Sequence, residues 1–178
     1  VILEEKILGR QTHFKGRLLQ LDTLEVERMD GKPGQREVVH CDNAVCAAVL
    51  TRDRHWVFVR QYRVATASLL LEVAGGRIDP GEDPDRAIER ELREEIGFRS
   101  GRIQRLMDFW STPGFCDMRM TCYLVDEADL GDGCPDEGEF LEVVRVGLEE
   151  GLAMALDGRI GCGTSVTAVL AAARVLGL

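Results

Sequence analysis

Gly76-Arg-Ile-Asp-Pro-Gly-Glu82-Asp-Pro-Asp-Arg-Ala-Ile-Glu-Arg90-Glu91-Leu92-Arg-Glu94-Glu95-Ile-Gly97-Phe98 decides the fold of this 178-residue chain. A glycine- and proline-bearing loop runs into a strongly signalled helix. Asp83 is placed to cap the free N–H groups of the first turn, and Pro84 suits that turn because its missing N–H has no helical partner there. Gly97 can take the left-handed conformation that ends a helix. The helix is therefore expected over 84–96. At about 100° per residue, Ile88, Leu92 and Ile96 form its buried stripe.

The carboxylates are placed unusually. Glu91 and Glu95 lie one turn apart at the edge of the apolar stripe. Glu94 is on the same flank, and Glu82 sits in the loop leading in. Like charges four residues apart repel, and partial burial adds a desolvation cost. A solvated, mixed-charge helix face is the ordinary explanation of such a pattern. A bound cation is the alternative, since it would offset the crowding. Hard oxygen donors with room for water and phosphate suit Mg²⁺, with Mn²⁺ as the alternative. Arg90 is positioned to orient or balance a neighbouring carboxylate.

Outward from this segment, the chain alternates strand and helix signals. Residues 16–28 are extended, with Leu19 and Leu21 on one phase and Leu24 and Val26 on the other. That switch suggests a bulge or bend near Asp22-Thr23. Asp30-Gly31 marks a turn, and Arg36–His40 a returning strand. Strands are expected at 44–50 and 56–62, and a short apolar run at 69–73 leads into the loop. Further strands are expected at 102–110, 119–125 and 141–146, with helices at 148–157 and 164–176. The pattern is α/β: a mixed sheet flanked by helices, preceded by an antiparallel strand region. Residues 1–40 form that strand region and 41–178 the main body, within a single structural domain.

The formal charge is 22 − 31 = −9, so a nucleic-acid partner is not expected. No apolar run reaches the roughly 20 residues of a membrane span. The N-terminus lacks a secretion-signal layout, and the expected location is cytoplasmic. Cys41, Cys46, Cys116, Cys122, Cys134 and Cys162 include no C-x-x-C pair. They are expected as reduced thiols rather than a zinc site or a disulfide framework.

The spacing G-x₅-E-x₇-R-E-U-x-E-E-x-G-U, with U a bulky apolar residue, is matched at every fixed position: Gly76, Glu82, Arg90, Glu91, Leu92, Glu94, Glu95, Gly97 and Phe98. It resembles the Nudix box. The resemblance implies an α/β/α sandwich carrying a loop–helix–loop that holds a divalent metal, and hydrolysis of a substituted nucleoside diphosphate. The metal set carried over is Glu91 and Glu95, with Glu82 and Gly76; Glu94 and Arg90 support the chemistry.

The wider chain resembles the ADP-ribose and ADP-sugar pyrophosphatase branch of that family. Arg60-Gln61-Tyr62-Arg63 with Leu70-Leu71-Glu72 resembles its strand before the box. Pro113-Gly114-Phe115 matches its proline after the box, and Arg36-Glu37-Val38-Val39 its extra sheet. The branch implies cleavage of ADP-ribose or an ADP-sugar to AMP and a sugar phosphate, and a homodimer exchanging N-terminal strands. GDP-mannose or a dinucleotide as substrate, and a non-catalytic nucleotide sensor, are the alternatives.

A loop glutamate acts on water in the branch. Glu139 is the first candidate and Glu137 the second, although an acidic turn also accounts for both. Arg36, Glu37 and Arg63 are candidate substrate contacts, since an arginine offers paired donors to a diphosphate. Trp110 and Phe115 are candidates for stacking on a base, whereas Trp56 is expected in the core. The chain departs from the branch at Ala74, where proline is frequent, at Cys116, where serine is common, and at Met118, where many members are acidic. The last two differences leave the leaving group open.

Overall fold

The computed structural model describes residues 3–133 and 140–178. The chain divides into two compact units. One comprises the residues up to Asn43 together with Trp110–Arg119; the other comprises Ala44–Phe109 and Met120–Leu178.

The first unit is a three-stranded antiparallel sheet of β1 (Lys6–Lys15), β2 (Leu19–Glu27) and β3 (Pro33–Cys41), in that order. Strand β1 has no counterpart in the expected strands. It buries no residue, so it shows no alternation of buried apolar positions to read. The irregularity expected near Asp22-Thr23 lies on the neighbouring strand: the β1–β2 register shifts between Thr12, opposite Asp22, and Phe14, opposite Leu21. The β2–β3 ladder runs without interruption from Leu19–Cys41 to Glu27–Pro33, and the irregularities fall in the β1–β2 register instead. The switch of apolar phase has another cause. Asp22, Leu24 and Val26 share the buried face, and Leu19 and Leu21 occupy the opposite one.

Asp22 is wholly buried yet well partnered. Gln20 Nε2 donates to both its oxygens at 2.9 and 3.0 Å. Arg10 and His40 approach within 3.4 and 3.2 Å. Burial alone raises its pKa, but the hydrogen bonds from Gln20 and Thr12 and the charges of Arg10 and His40 outweigh it, leaving the value below the ordinary 3.8. The 110–119 segment joins this unit through β3. Val39 N–H donates to Phe115 O at 2.7 Å, and Asp117 N–H to Val39 O at 3.2 Å.

The second unit is an α/β/α sandwich. Its sheet runs β10 (Leu141–Gly147), β5 (His55–Arg63), β4 (Ala44–Thr51), β9 (Arg119–Leu130), β8 (Phe98–Trp110). The sheet is mixed: β4 pairs β9 in parallel and β5 antiparallel. Every residue of β4 is buried, as a strand covered on both faces requires. Val45, Ala47 and Val49 face helix α1 (Pro84–Ile96). Helix α3 (Gly163–Leu176) packs on the same strand, and α2 (Leu148–Asp157) lies against β5 and β10. Trp56 is core, its indole N–H donating to Leu148 O at 2.9 Å.

Strands β4 and β5 pair only near Leu50–Trp56 and Val49–Val57. Beyond that they separate, and each free edge takes a short strand. Strand β6 (Ser68–Glu72) pairs with β5, and β7 (Ala74–Arg77) with β4. Val73 is the single residue between them. This split delivers the chain to the loop that precedes α1.

Candidate functional site

Helix α1 is built as its sequence dictates. The Asp83 carboxylate accepts from Asp85 N–H at 2.9 Å, and Gly97 closes the helix with φ 63°. Ile88, Leu92 and Ile96 are fully buried, each contributing roughly 1.5–3 kcal/mol of apolar burial. Tyr123 on β9 steadies the first turn, its hydroxyl donating to Asp85 Oδ1 at 2.6 Å.

This anchoring presents four glutamates along one flank. Glu95 is only 6% exposed, with Oε2 accepting the Gly75 N–H at 2.9 Å. Glu91 lies over Gly76, where any Cβ would stand 2.3 Å from the Glu91 carboxyl carbon. Only glycine lets the backbone come so near. Arg90, expected beside one carboxylate, touches three. It grips Glu82 through two donors, Nε to Oε1 at 3.1 Å and Nη2 to Oε2 at 3.0 Å. Its Nη1 donates to Glu91 at 2.8 Å and Glu94 at 3.1 Å, and Nη2 also reaches the Arg77 carbonyl at 3.0 Å. These bonds, the Glu82 pair foremost, raise the arginine pKa further above its ordinary value. Glu82 is lowered below 4.5, first by Arg90 and then by the Asp79 N–H, against the opposing effect of burial.

One guanidinium bonds three carboxylates, and Glu95 stands on the same flank. The donors are hard oxygens, and Gly76 brings its backbone close beside Glu91. That set fits a divalent ion. Among the described residues, no three side chains of ligating type stand close enough together to enclose an ion unaided. Arg90 draws three of the carboxylates to itself.

The remaining predicted residues fall into separate groups. Arg63 Nε donates to the buried Glu72 at 2.9 Å. In the other unit, Arg36, Glu37, Trp110 and Phe115 line one cavity of about 450 Å³ with Leu24 and Val26. Trp110 is 55% and Phe115 54% exposed. Arg36 is ion-paired with Glu5. Asp117 also borders this cavity; it bonds His40 and accepts Cys41 N–H at 3.1 Å. Glu137 and Glu139 lie outside the described residues. Glu72 enters the sequence reading only as part of a resembling strand, without a role, and Gly75 and Asp117 are given none. The doubled Gly75-Gly76 was the available signal for Gly75, since adjacent glycines mark close backbone approach.

The fold and this glutamate-bearing loop–helix–loop define a class, and comparison with known proteins agrees. The model of the NUDIX domain matches residues 42–160, and the chain belongs to the Nudix family. It is 32% identical over 152 residues to the ADP-ribose pyrophosphatase of Bacillus subtilis (strain 168), covering 84% of this chain and 82% of that protein. It is 31% identical over 170 residues to the methanol dehydrogenase activator of Bacillus methanolicus, covering 94% and 92%. A solved crystal structure of an ADP compounds hydrolase matches with a TM-score of 0.86 at 25% identity, over 99% of this chain and 96% of its own. Nudix hydrolases generally need a divalent metal.

Proposed function

We propose that this chain hydrolyses the diphosphate bond of ADP-ribose or a related ADP-sugar, releasing AMP and a sugar phosphate. The observation that carries the reading is the charge-crowded flank of α1, where Glu82, Glu91 and Glu94 share one arginine and Glu95 is fixed to the loop backbone. Glu91 and Glu95 would hold the ion, with Glu82 and the Gly76 backbone beside them. Mg²⁺ is the expected ion and Mn²⁺ an acceptable one. Bound there, it would neutralise the diphosphate and activate a water.

Arg90 keeps the carboxylates ionised and aligned. Glu139, or failing it Glu137, takes the proton of the attacking water. Water adds to one phosphorus, the bridging P–O bond breaks, and the two phosphates leave as separate products. Arg36, Glu37 and Arg63 contact the substrate, and Trp110 and Phe115 supply faces on which a base stacks. The N-terminal strands join two copies into a homodimer. The exposed apolar side chains of β1, Ile7, Leu8 and Phe14, support this reading. A small nucleotide derivative is the partner, and the net charge of −9 disfavours nucleic acid.

Product analysis with Mg²⁺ tests the proposal, using ADP-ribose, ADP-glucose, GDP-mannose, a diadenosine polyphosphate and NADH. AMP and ribose 5-phosphate from ADP-ribose are expected. Turnover of GDP-mannose alone would keep the chemistry and overturn the substrate. Tight binding with no turnover would point to a sensor. Sedimentation equilibrium is expected to give twice the 19.8 kDa chain mass, and a monomer would overturn the dimer.

A further inference from the structure

The split of the sheet creates a local problem. The β5–β6 ladder ends at Val59–Glu72, and the β4–β7 ladder begins at Ala47–Ala74. Val73 belongs to neither, and it is buried. A buried backbone N–H without a partner is costly. Its partner comes from a distant part of the chain: Ser165 Oγ accepts the Val73 N–H at 3.0 Å. Ser165 lies in the first turn of α3 and is 1% exposed. A serine caps a helix from the residue before its first turn, and Ser165 stands two residues inside α3. The N-cap position of α3, Cys162, makes no side-chain cap bond, and Ser165 is turned toward the sheet.

The residues that follow Val73 have no slack. A Cβ on Gly75 would lie 2.2 Å from Val45 O, so β7 is pressed against β4. Gly75 N–H fixes Glu95, and Gly76 sits under Glu91. The height at which the chain crosses from β5 to β4 therefore sets where both carboxylates rest.

We propose that Ser165 is a positioning residue for the metal site: its hydroxyl pins Val73, and through Gly75 and Gly76 that pin sets the spacing of Glu95 and Glu91. This inference rests on the reading of those two glutamates as metal ligands. It gives α3 a part in ion affinity besides core packing. Supporting groups one step removed from a ligand commonly change metal affinity 10–100-fold; Ser165 acts one step further out.

The experiment is Mn²⁺ binding to the metal-free chain, followed by the electron paramagnetic resonance of free Mn²⁺ well below the unfolding midpoint. Ser165→Ala is expected to weaken binding about tenfold. Ser165→Thr keeps the hydroxyl and is expected to retain wild-type affinity even where its extra methyl lowers the midpoint. Ser165→Cys keeps the size but accepts weakly, so it repeats the test should the alanine variant fail to fold. Glu95→Gln serves as the reference and is expected to abolish tight binding. If Ser165→Ala lowers only the midpoint and binds Mn²⁺ as wild type does, the inference is overturned and the ligand assignment stands. Equal loss in the alanine and threonine variants would overturn the hydrogen-bond account. An unaffected Glu95→Gln would overturn the ligand assignment and the inference with it.

Discussion

Strands β1 and β4 show how differently the two units are held. Every residue of β4 is buried, sandwiched between α1 and α3. No residue of β1 is buried, and Ile7, Leu8 and Phe14 lie in the open. The unit that carries α1 is organised by apolar packing on both faces of a sheet. The N-terminal unit is organised by ladder hydrogen bonds and by a buried charge, Asp22, that needs Gln20, Arg10 and His40 around it. One unit can present carboxylates rigidly. The other presents aromatic faces and arginine around an open cavity.

The proposed function assigns chemistry to the α1 unit and recognition to the N-terminal unit, and the following outcomes test that assignment. Glu95→Gln should have the largest effect. Loss of the charge fixed by Gly75 should cut turnover by at least about a hundredfold, read by AMP release, while the N-terminal sheet stays folded by hydrogen exchange. Phe115→Ala should act oppositely, raising KM about tenfold with kcat little changed, in keeping with a lost stacking contact. A fall in kcat alone would break the division of labour.

A smaller effect is expected from Tyr123→Phe. It removes the bond to Asp85 and should cost about 1–2 kcal/mol in urea unfolding, with turnover of the folded fraction preserved. The smallest concerns Asp22. Its folded pKa lies below 3.8, so its contribution is complete above that value and is lost as pH falls through the folded pKa. Unfolding from pH 6 to 2.5 should show the wild type losing an advantage below about pH 3.8 that Asp22→Asn never has. Parallel curves would mean that the N-terminal unit does not depend on that charge.

Legibility in the sequence followed the same divide. Helix α1 spans 84–96 as its capping residues and apolar stripe indicate, and α2 coincides with 148–157. The strands of the core unit were readable because burial forces apolar runs. Strand β1 was not, since nothing in its side chains is constrained by burial. Asp22 was misleading for a related reason: a charged residue on the inward face looks like a change of phase. At the site, the glutamates and Arg90 were legible as a spacing. That Arg90 holds three carboxylates at once was not, because the answer depends on how the loop folds back over the helix.

By itself the sequence determined the periodicities, the caps and the order of carboxylates along one helical flank, because these depend on neighbours within a turn or two. Only the tertiary structure decided which distant groups complete them. Gly75 reaches Glu95 across 20 positions and Ser165 reaches Val73 across 92. Such pairs arise where two strands part and a helix covers the gap, and no local interaction specifies them.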